Sequence, residues 1–151
     1  MDQDALVAYR KYADEVVRFA AAVAGPSAAE DIATTVMSRL FHGTSWRTIE
    51  NLRSYLLRAV ANEAASQRRS TRRRTARETE HGHRDAGPDA AVRAEVLDAV
   101  RRLTARQRAI VYMTYWLGES GEDVASTLGV SVRTVERELT TARRRLEVLL
   151  R

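Results

Sequence analysis

The chain has 151 residues, enough for one ordinary domain or two small ones, and 44% of them are hydrophobic, so it can build a core. Its formal net charge is +5, and Lys11 is the only lysine, so arginine supplies nearly all the positive charge, which favours a nucleic-acid partner. The chain contains no cysteine and no apolar run near the ~18 residues of a membrane span. This excludes disulfides, thiolate zinc sites and membrane insertion, and we predict a soluble, cytoplasmic protein.

Apolar residues recur at spacings of three and four in the first part of the chain, which predicts three helices. The first covers residues 6–24 and ends at Gly25-Pro26. Ser27 and Glu30 have the spacing of a capping box for the second helix, which runs to about residue 41. The third helix begins near residue 51, and its apolar stripe consists of Leu52, Tyr55, Leu56, Ala59 and Val60.

The third helix leads into a run of six arginines within residues 68–77, with no acidic residue between them. Such a run cannot bury itself, so it is either a solvated helix end or a tract that binds phosphates. Because the run contains only positive charge, we favour the interpretation that it binds phosphates.

Residues 78–91 lack periodicity and read as a flexible linker. After it, we predict a helix with Val96, Leu97, Val100 and Leu103 facing inward, and Thr104 and Gln107 form a second capping box. The next helix is expected to bury Ile110, Val111, Tyr115 and Leu117 and to end at Gly118.

The last 30 residues have the pattern of a helix-turn-helix. Ser120 or Gly121 opens a short helix, Gly129 can end it in a left-handed conformation, and Ser131 suits the N-cap of a longer helix. The longer helix has one apolar seam formed by Val132, Val135, Leu139, Ala142, Leu146 and Leu149.

The opposite face of this last helix carries cationic and hydroxyl side chains, as major-groove recognition requires. An amphipathic helix with a solvated face would show the same pattern, but the glycine turn and the serine cap favour DNA binding. The candidate contacts are Arg133, Thr134, Glu136, Arg137, Thr140, Thr141 and Arg144.

These patterns predict an all-α protein with two small helical units, residues 1–77 and 92–151, joined by the linker. We identify no catalytic residues and expect no enzyme activity, because cysteine is absent and the histidines lie in loop-like surroundings. His81 and His83 have no accompanying ligand cluster, so we expect no metal and no cofactor.

Four segments, in this order, resemble bacterial RNA polymerase sigma factors of the extracytoplasmic-function (ECF) type. They are AAEDIA at residues 28–33, YLLRAVAN at 55–62, LTARQR at 103–108 and the helix-turn-helix at 121–150. The resemblance implies a dissociable initiation subunit whose two units correspond to sigma domains two and four. Its candidate partners would be core RNA polymerase, double-stranded and melted promoter DNA, and an anti-sigma factor.

The resemblance also implies two sites in the first unit. The face that would bind core polymerase consists of Glu30, Asp31, Thr34, Thr35, Ser38 and Arg39. Recognition and melting of the proximal promoter element would involve Trp46, Arg53, Tyr55, Arg58, Asn62, Gln67, Arg68, Arg69, Arg72, Arg73 and Arg74. The last helix of the second unit would then read the distal element.

The sequence departs from the family pattern at two places: Thr34-Thr35 replaces a usual Gln-Glu pair, and Glu136 and Glu138 stand where basic and small residues are common. Two other interpretations remain open. A stand-alone helix-turn-helix regulator would explain residues 121–150 without any polymerase contact, and a helical interaction protein would use the apolar faces to bind a partner.

Overall fold

The computed structural model describes residues 2–75 and 88–151, with the backbone alone at 71–75 and 88–90. These residues form seven α-helices and no strand, which confirms the all-α prediction. The elements in chain order are α1 (Gln3–Ala24), α2 (Pro26–Phe41), a 3₁₀ turn (Ser45–Thr48), α3 (Leu52–Thr75), α4 (Pro88–Arg101), α5 (Ala105–Val111), a π-helical turn (Tyr112–Trp116), α6 (Gly121–Leu128) and α7 (Val132–Leu149).

Helices α1, α2 and α3 pack as a three-helix unit around large apolar side chains. Its fully buried residues include Phe19, Ile32, Met37, Phe41 and Leu56. Asp2 caps α1 by accepting a hydrogen bond from the backbone nitrogen of Ala5 at 2.7 Å, which starts the helix three residues earlier than the apolar pattern indicated.

The predicted capping box at Ser27 and Glu30 is wrong. Helix α2 begins at Pro26, with Gly25 as its N-cap and no side-chain cap bond. Proline suits the first helical position because its φ is already helical and its missing N–H would have had no partner there. Ser27 therefore lies inside the first turn, where its hydroxyl is not needed as a cap.

The second unit is built from α4 to α7, and its buried centre contains Leu103, Ile110, Met113, Val124 and Val135. The capping box of α5 is confirmed, because Thr104 Oγ1 accepts from Gln107 N and Gln107 Oε1 accepts from Thr104 N, each at 3.1 Å. Most of the predicted seam of α7 is only partly covered, and Val135 and Ala142 are its fully buried members.

Two predictions about burial in the second unit are wrong. Val96 and Leu97 are 41% and 56% exposed, because α4 packs mainly on α7 and a single neighbour covers only the narrow strip that contains Ala99. Tyr115 is 56% exposed. It lies two residues after the buried Met113 and therefore on the opposite side of the helix.

The two units are in contact in this structure. Helix α1 packs against α5, α3 packs against α5 and α6, and one apolar cluster runs from Phe19 and Val60 through to Ile110 and Val124. The rings of Phe19 and Tyr112 meet across this boundary with their centroids 5.9 Å apart. The C-terminal unit therefore lies against α1 and α3, and its position bears directly on which side chains of α3 are accessible.

Replacing Thr104 with alanine should lower the free energy of unfolding by about 1 kcal/mol, because the backbone nitrogen of Gln107 loses its partner. Urea denaturation followed by circular dichroism would measure the change. Ser66→Ala is the matched control, since this hydroxyl is exposed in the middle of α3 and should change the free energy little. Equal effects of the two substitutions would contradict a capping role for Thr104.

Candidate nucleic-acid interface

The helix-turn-helix has the local geometry that its sequence predicts. Ser120 Oγ accepts from the backbone nitrogen of Asp123 at 3.1 Å, and Ser131 Oγ accepts from that of Thr134 at 3.1 Å. Gly129 lies between the helices with φ of 68°, in the left-handed region that favours glycine. Helices α6 and α7 pack against each other, with Val124 and Val135 buried on their apolar sides, so the outer face of α7 is held in a fixed orientation.

The outer face of α7 is open to solvent and carries most of the candidate DNA contacts. The exposed members are Arg133, Glu136, Arg137, Thr140 and Arg144, and Thr134 and Thr141 are half-buried.

The hydroxyl groups on α7 are committed within the helix. Thr140 Oγ1 donates to the Glu136 carbonyl at 2.9 Å, and Thr141 Oγ1 donates to the Arg137 carbonyl at 3.0 Å. Thr134 Oγ1 lies 2.9 Å from Ser131 Oγ at the cap. The guanidinium groups of α7 are therefore the donors best placed to reach base edges, while the threonines offer mainly acceptor lone pairs and methyl groups.

A cavity of about 300 Å³ opens between α2, the 3₁₀ turn and α3. Its polar lining comes from Arg39, Ser45, Tyr55, Asn62 and Glu63. Tyr55 is 47% exposed, which gives the cavity an aromatic wall, and the Asn62 amide supplies both a donor and an acceptor. A flat polar ring that stacks on tyrosine and pairs with an amide is the chemistry this cavity suits.

Trp46 follows the lining residue Ser45 in the chain but does not line the cavity, and its side chain packs within the first unit. Its ring meets Phe41 edge-on with centroids 5.3 Å apart, and the Arg47 guanidinium lies 5.0 Å from its centre. The indole nitrogen is buried without a hydrogen-bond partner among the residues that the structure describes. These contacts account for the position of Trp46, and its contact with DNA stays a prediction.

Arg47 links the 3₁₀ turn to the start of α1 by hydrogen bonds. Its guanidinium donates to Asp2 at 2.9 Å and to Asp4 at 3.1 Å, and these bonds raise the pKa of Arg47. The pKa of Asp2 is lowered, first by the backbone hydrogen bond from Ala5 and then by Arg47. The turn that carries Ser45 and Trp46 is thereby held against the three-helix unit.

Three candidate arginines on α3 form hydrogen bonds to the C-terminal unit, although Arg58 stays exposed to solvent. Arg58 Nε donates to the carbonyl of Thr127 at 3.0 Å, and its Nη2 donates to that of Ser126 at 3.0 Å. Arg68 donates to the carbonyl of Leu103 and, at 2.8 Å, to that of Arg101.

Arg53 is the third of these arginines, and it joins two acids from different units. Its Nε bonds Glu15 of α1 at 2.6 Å, and its Nη2 bonds Glu119, which precedes α6, at 3.0 Å. Desolvation lowers the pKa of Arg53, but the bonds to Glu15 and Glu119 outweigh it and the net shift is upward. The guanidinium is therefore held firmly in its charged form between the two units.

The remaining candidates of the proximal set lie further along α3. Gln67 is half-buried, with its amide 3.5 Å from Glu63, and Arg69 is exposed. The side chains of Arg72, Arg73 and Arg74 lie outside the described residues, although the backbone there continues α3 to Thr75.

The candidate polymerase face lies on the outer side of α2, opposite the buried Ile32, Val36 and Met37. Its exposed members are Glu30, Asp31, Thr34, Ser38 and Arg39, and Thr35 is half-buried.

Residues that the sequence interpretation missed include Glu119, Ser54 and Thr127, which all lie at the boundary between the units. Ser54 Oγ is 3.3 Å from Thr127 Oγ1 across a separation of 73 residues. No local pattern marks such pairs, because each member looks like an ordinary surface or cap residue until its partner is placed.

In the described part of the chain, no group of three or more histidine, aspartate or glutamate side chains could hold a metal ion, and His81 and His83 lie outside that part. Across residues 2–75 and 88–151, none of the helices combines the length and apolar character that crossing a membrane requires.

Known proteins resemble this chain along nearly all of its length. Residues 8–74 match the family model of sigma-70 region 2, and residues 93–146 match that of sigma-70 region 4. The RNA polymerase sigma-E factor of Streptomyces coelicolor is 31% identical over 130 residues, which cover 82% of this chain and 72% of that protein. The chain therefore belongs to the sigma-70 family of RNA polymerase sigma factors, and within it to the ECF type.

A solved structure shares the fold. The sigma factor RpoE of Bartonella quintana, in its co-crystal with the anti-sigma factor NepR, superimposes with a TM-score of 0.70. The match covers 99% of this chain and 98% of that one, at 22% sequence identity. The likeness extends through both helical units.

Replacing Arg137 with alanine should weaken binding to a matched distal element by about 1 to 3 kcal/mol and relax the preference at one base pair, because a guanidinium on the exposed face can pair with guanine. Binding competitions against a library of site variants would measure both effects. Arg145→Ala is the control for charge, because Arg145 on the same helix donates to Gln107 at 3.1 Å. Equal weakening at every sequence would instead make Arg137 a phosphate contact.

Proposed function

We propose that this ECF sigma factor directs core RNA polymerase to promoters by reading two separated elements with its two units. The exposed arginine face of α7 would read the distal element in the major groove. The α2–α3 cavity and the arginines of α3 would engage the proximal element. The observation that carries the proposal is that the chain offers two different binding surfaces, a helix face suited to duplex DNA and a cavity suited to a single extruded base.

The cavity between α2 and α3 supports a role in melting. Removing a base from the stack costs a few kcal/mol, and stacking on an aromatic ring together with a fitted pocket can offset this cost. We propose that Tyr55 stacks on one unpaired base and that Asn62 pairs with its edge. Gln67 and the arginines at 68, 69 and 72–74 would hold neighbouring phosphates, and Arg53 and Arg58 would join them once they leave the C-terminal unit.

The outer face of α2 supports docking on the polymerase. It is polar and exposed, and it adjoins the cavity that we assign to DNA, because Arg39 belongs to this face and also lines the cavity. One helix could therefore contact the polymerase and help to frame the melted strand. Thr34 and Thr35 provide hydroxyls on this face where an acidic or amide pair would bind differently, so we propose that they tune the affinity for core enzyme.

The subunit would perform no catalysis of its own, because the chemistry belongs to the polymerase to which it binds. It would act in the cytoplasm, where core polymerase and the chromosome are found. We also propose an anti-sigma partner, on the ground that the similar RpoE was crystallised with the anti-sigma factor NepR.

Run-off transcription with purified core polymerase on a genomic fragment library tests the proposal. We expect comigration of the protein with core enzyme and discrete start sites that are absent with core alone. A stand-alone helix-turn-helix regulator would bind DNA fragments but would neither comigrate with core enzyme nor create start sites. That outcome would refute the sigma function and leave the DNA-binding one.

Replacing Tyr55 with alanine should reduce promoter melting by about 5- to 150-fold, because a stacked base contributes about 1 to 3 kcal/mol. Permanganate reactivity of unpaired thymines at the start site would measure melting, and filter binding would measure the initial duplex complex separately. Tyr55→Phe keeps the ring and should melt like the unaltered protein. Normal melting by the alanine variant would contradict the stacking role.

A further inference from the structure

We infer that the chain binds a short polyphosphate between α3 and α5, with the terminal phosphate group in an inner cavity at Arg108 and the following groups near Arg69 and Arg106. The inference goes beyond the proposed function, because it concerns a small ligand and is tested by binding alone. It is carried by three cavities that share lining residues and whose polar side chains are cationic or neutral among the described residues.

Arg108 of α5 is a buried cation whose partners are all neutral. It is 9% exposed, and its guanidinium donates to the carbonyl oxygens of Arg101 and Leu103 at 3.2 and 3.4 Å. Burial, and then the charges of Arg68 and Arg101, lower the pKa of Arg108 to about 10, so the group stays charged at neutral pH. Buried charges in proteins are ordinarily paired with an opposite charge, and an anion beside Arg108 would provide one.

The inner cavity lies beside Arg108 and has a volume of about 160 Å³. Its polar lining comes from Gln67, Arg68 and Arg108, and its other walls are apolar side chains of α1, α2 and α3. Nη1 of Arg108 forms no hydrogen bond with a described residue, and the Gln67 amide has only a 3.5 Å contact with Glu63. Guanidinium and amide N–H groups are the donors that phosphate oxygens accept, and the bonds strengthen in apolar surroundings.

Two larger cavities continue the inner one towards the surface. A connecting cavity of about 220 Å³ shares Arg68 with the inner cavity, and it shares Arg69 and Arg106 with an outer cavity of about 350 Å³. Arg58 and Asn62 also line the outer cavity. Arg69 and Arg106 are exposed and form no ion pair with a described residue, so their guanidinium groups can turn towards a ligand. A row of cations that leads outward from a buried pocket matches a linear chain of phosphates.

The size of the inner cavity favours the end of a polyphosphate over the backbone of a nucleic acid. Pockets for drug-sized ligands begin at about 300 Å³, so a cavity of about half that volume suits a single phosphate group. A phosphodiester carries a sugar on both sides, whereas a terminal phosphate has one connection. Inorganic polyphosphate and nucleoside triphosphates both offer such an end, and the experiment distinguishes these two sources.

Isothermal titration of the full chain, at low salt and without magnesium, tests the inference. We expect tripolyphosphate to saturate one site per chain and to bind at least about 10-fold more tightly than inorganic phosphate, because it reaches the outer arginines as well. Binding of ATP that is no tighter than that of tripolyphosphate would assign the site to inorganic polyphosphate, and tighter binding would assign it to a nucleotide. The absence of saturable binding by both would refute the site.

A pair of double variants separates a built site from attraction by the overall charge. Arg69→Gln/Arg106→Gln should weaken tripolyphosphate binding by at least about 10-fold, because two charge-assisted contacts are lost. Arg10→Gln/Arg18→Gln is the matched control, since both residues are exposed on α1 and line none of the three cavities. We expect less than about 2-fold weakening there. Equal weakening by the two double variants would show that the anion binds the net charge only and would overturn the inference.

Gln67→Glu tests the inner cavity with little change of shape. It places a carboxylate beside Arg108, and this carboxylate would take the position of the terminal phosphate. Tripolyphosphate should raise the melting temperature of the unaltered protein, because it binds the folded state, and it should lose most of this effect on the variant. An undiminished rise in a variant with a normal helical circular dichroism spectrum would contradict the inner pocket. If the variant does not fold, the arginine double variants decide the question.

Discussion

Helix α3 packs against α1 and α2 on one side and against α5 and α6 on the other. The arrangement of the two helical units depends on these two sets of contacts. Its apolar side buries Leu56, Leu57 and Val60 in the three-helix unit. Its arginines reach the other way, to carbonyl and carboxylate groups of the C-terminal unit. The same helix also lines the cavity that we propose for an unpaired base. Packing of the first unit and contact with the second unit therefore depend on a single element, and we propose that promoter binding depends on it as well.

If both units bind the promoter, as we propose, neither needs a high affinity for DNA on its own. Two readers on one chain raise each other's effective concentration, and the gain depends on both sites being accessible at once. In this structure the outer face of α7 is exposed, and Arg53 and Arg58 bond residues of the C-terminal unit.

Features set by neighbouring residues were predictable from the sequence. The caps at Ser120 and Ser131, the left-handed Gly129 and the capping box of Thr104 each depend on a few adjacent positions, and all were found as expected. The predicted cap at Ser27 was wrong because the helix begins at Pro26 instead. Residue spacing alone does not show which of two possible N-terminal positions a helix will use. Val96 and Leu97 were expected inside because their period is helical, but periodicity does not reveal how many neighbours a helix will have.

The hydrogen-bond partners of the α3 arginines could not be predicted from the sequence, for a different reason. Arg58 and Thr127 are 69 residues apart, and the acceptors are backbone carbonyls, which every residue possesses. The sequence shows that residue 58 is an arginine, but it does not show which helix end will accept its hydrogen bonds. The same holds for Glu119, whose role depends on Arg53 being brought to it by the packing of α3 against α6.

The distance between the units in solution tests the central claim most directly. Spin labels on single cysteines introduced at Ser66 in α3 and Glu147 in α7, both exposed, would report it by pulsed electron paramagnetic resonance in the otherwise cysteine-free chain. The account predicts one narrow distribution for the free protein and a longer distance once core polymerase and promoter DNA are bound. An unchanged distance in a transcriptionally active complex would contradict it.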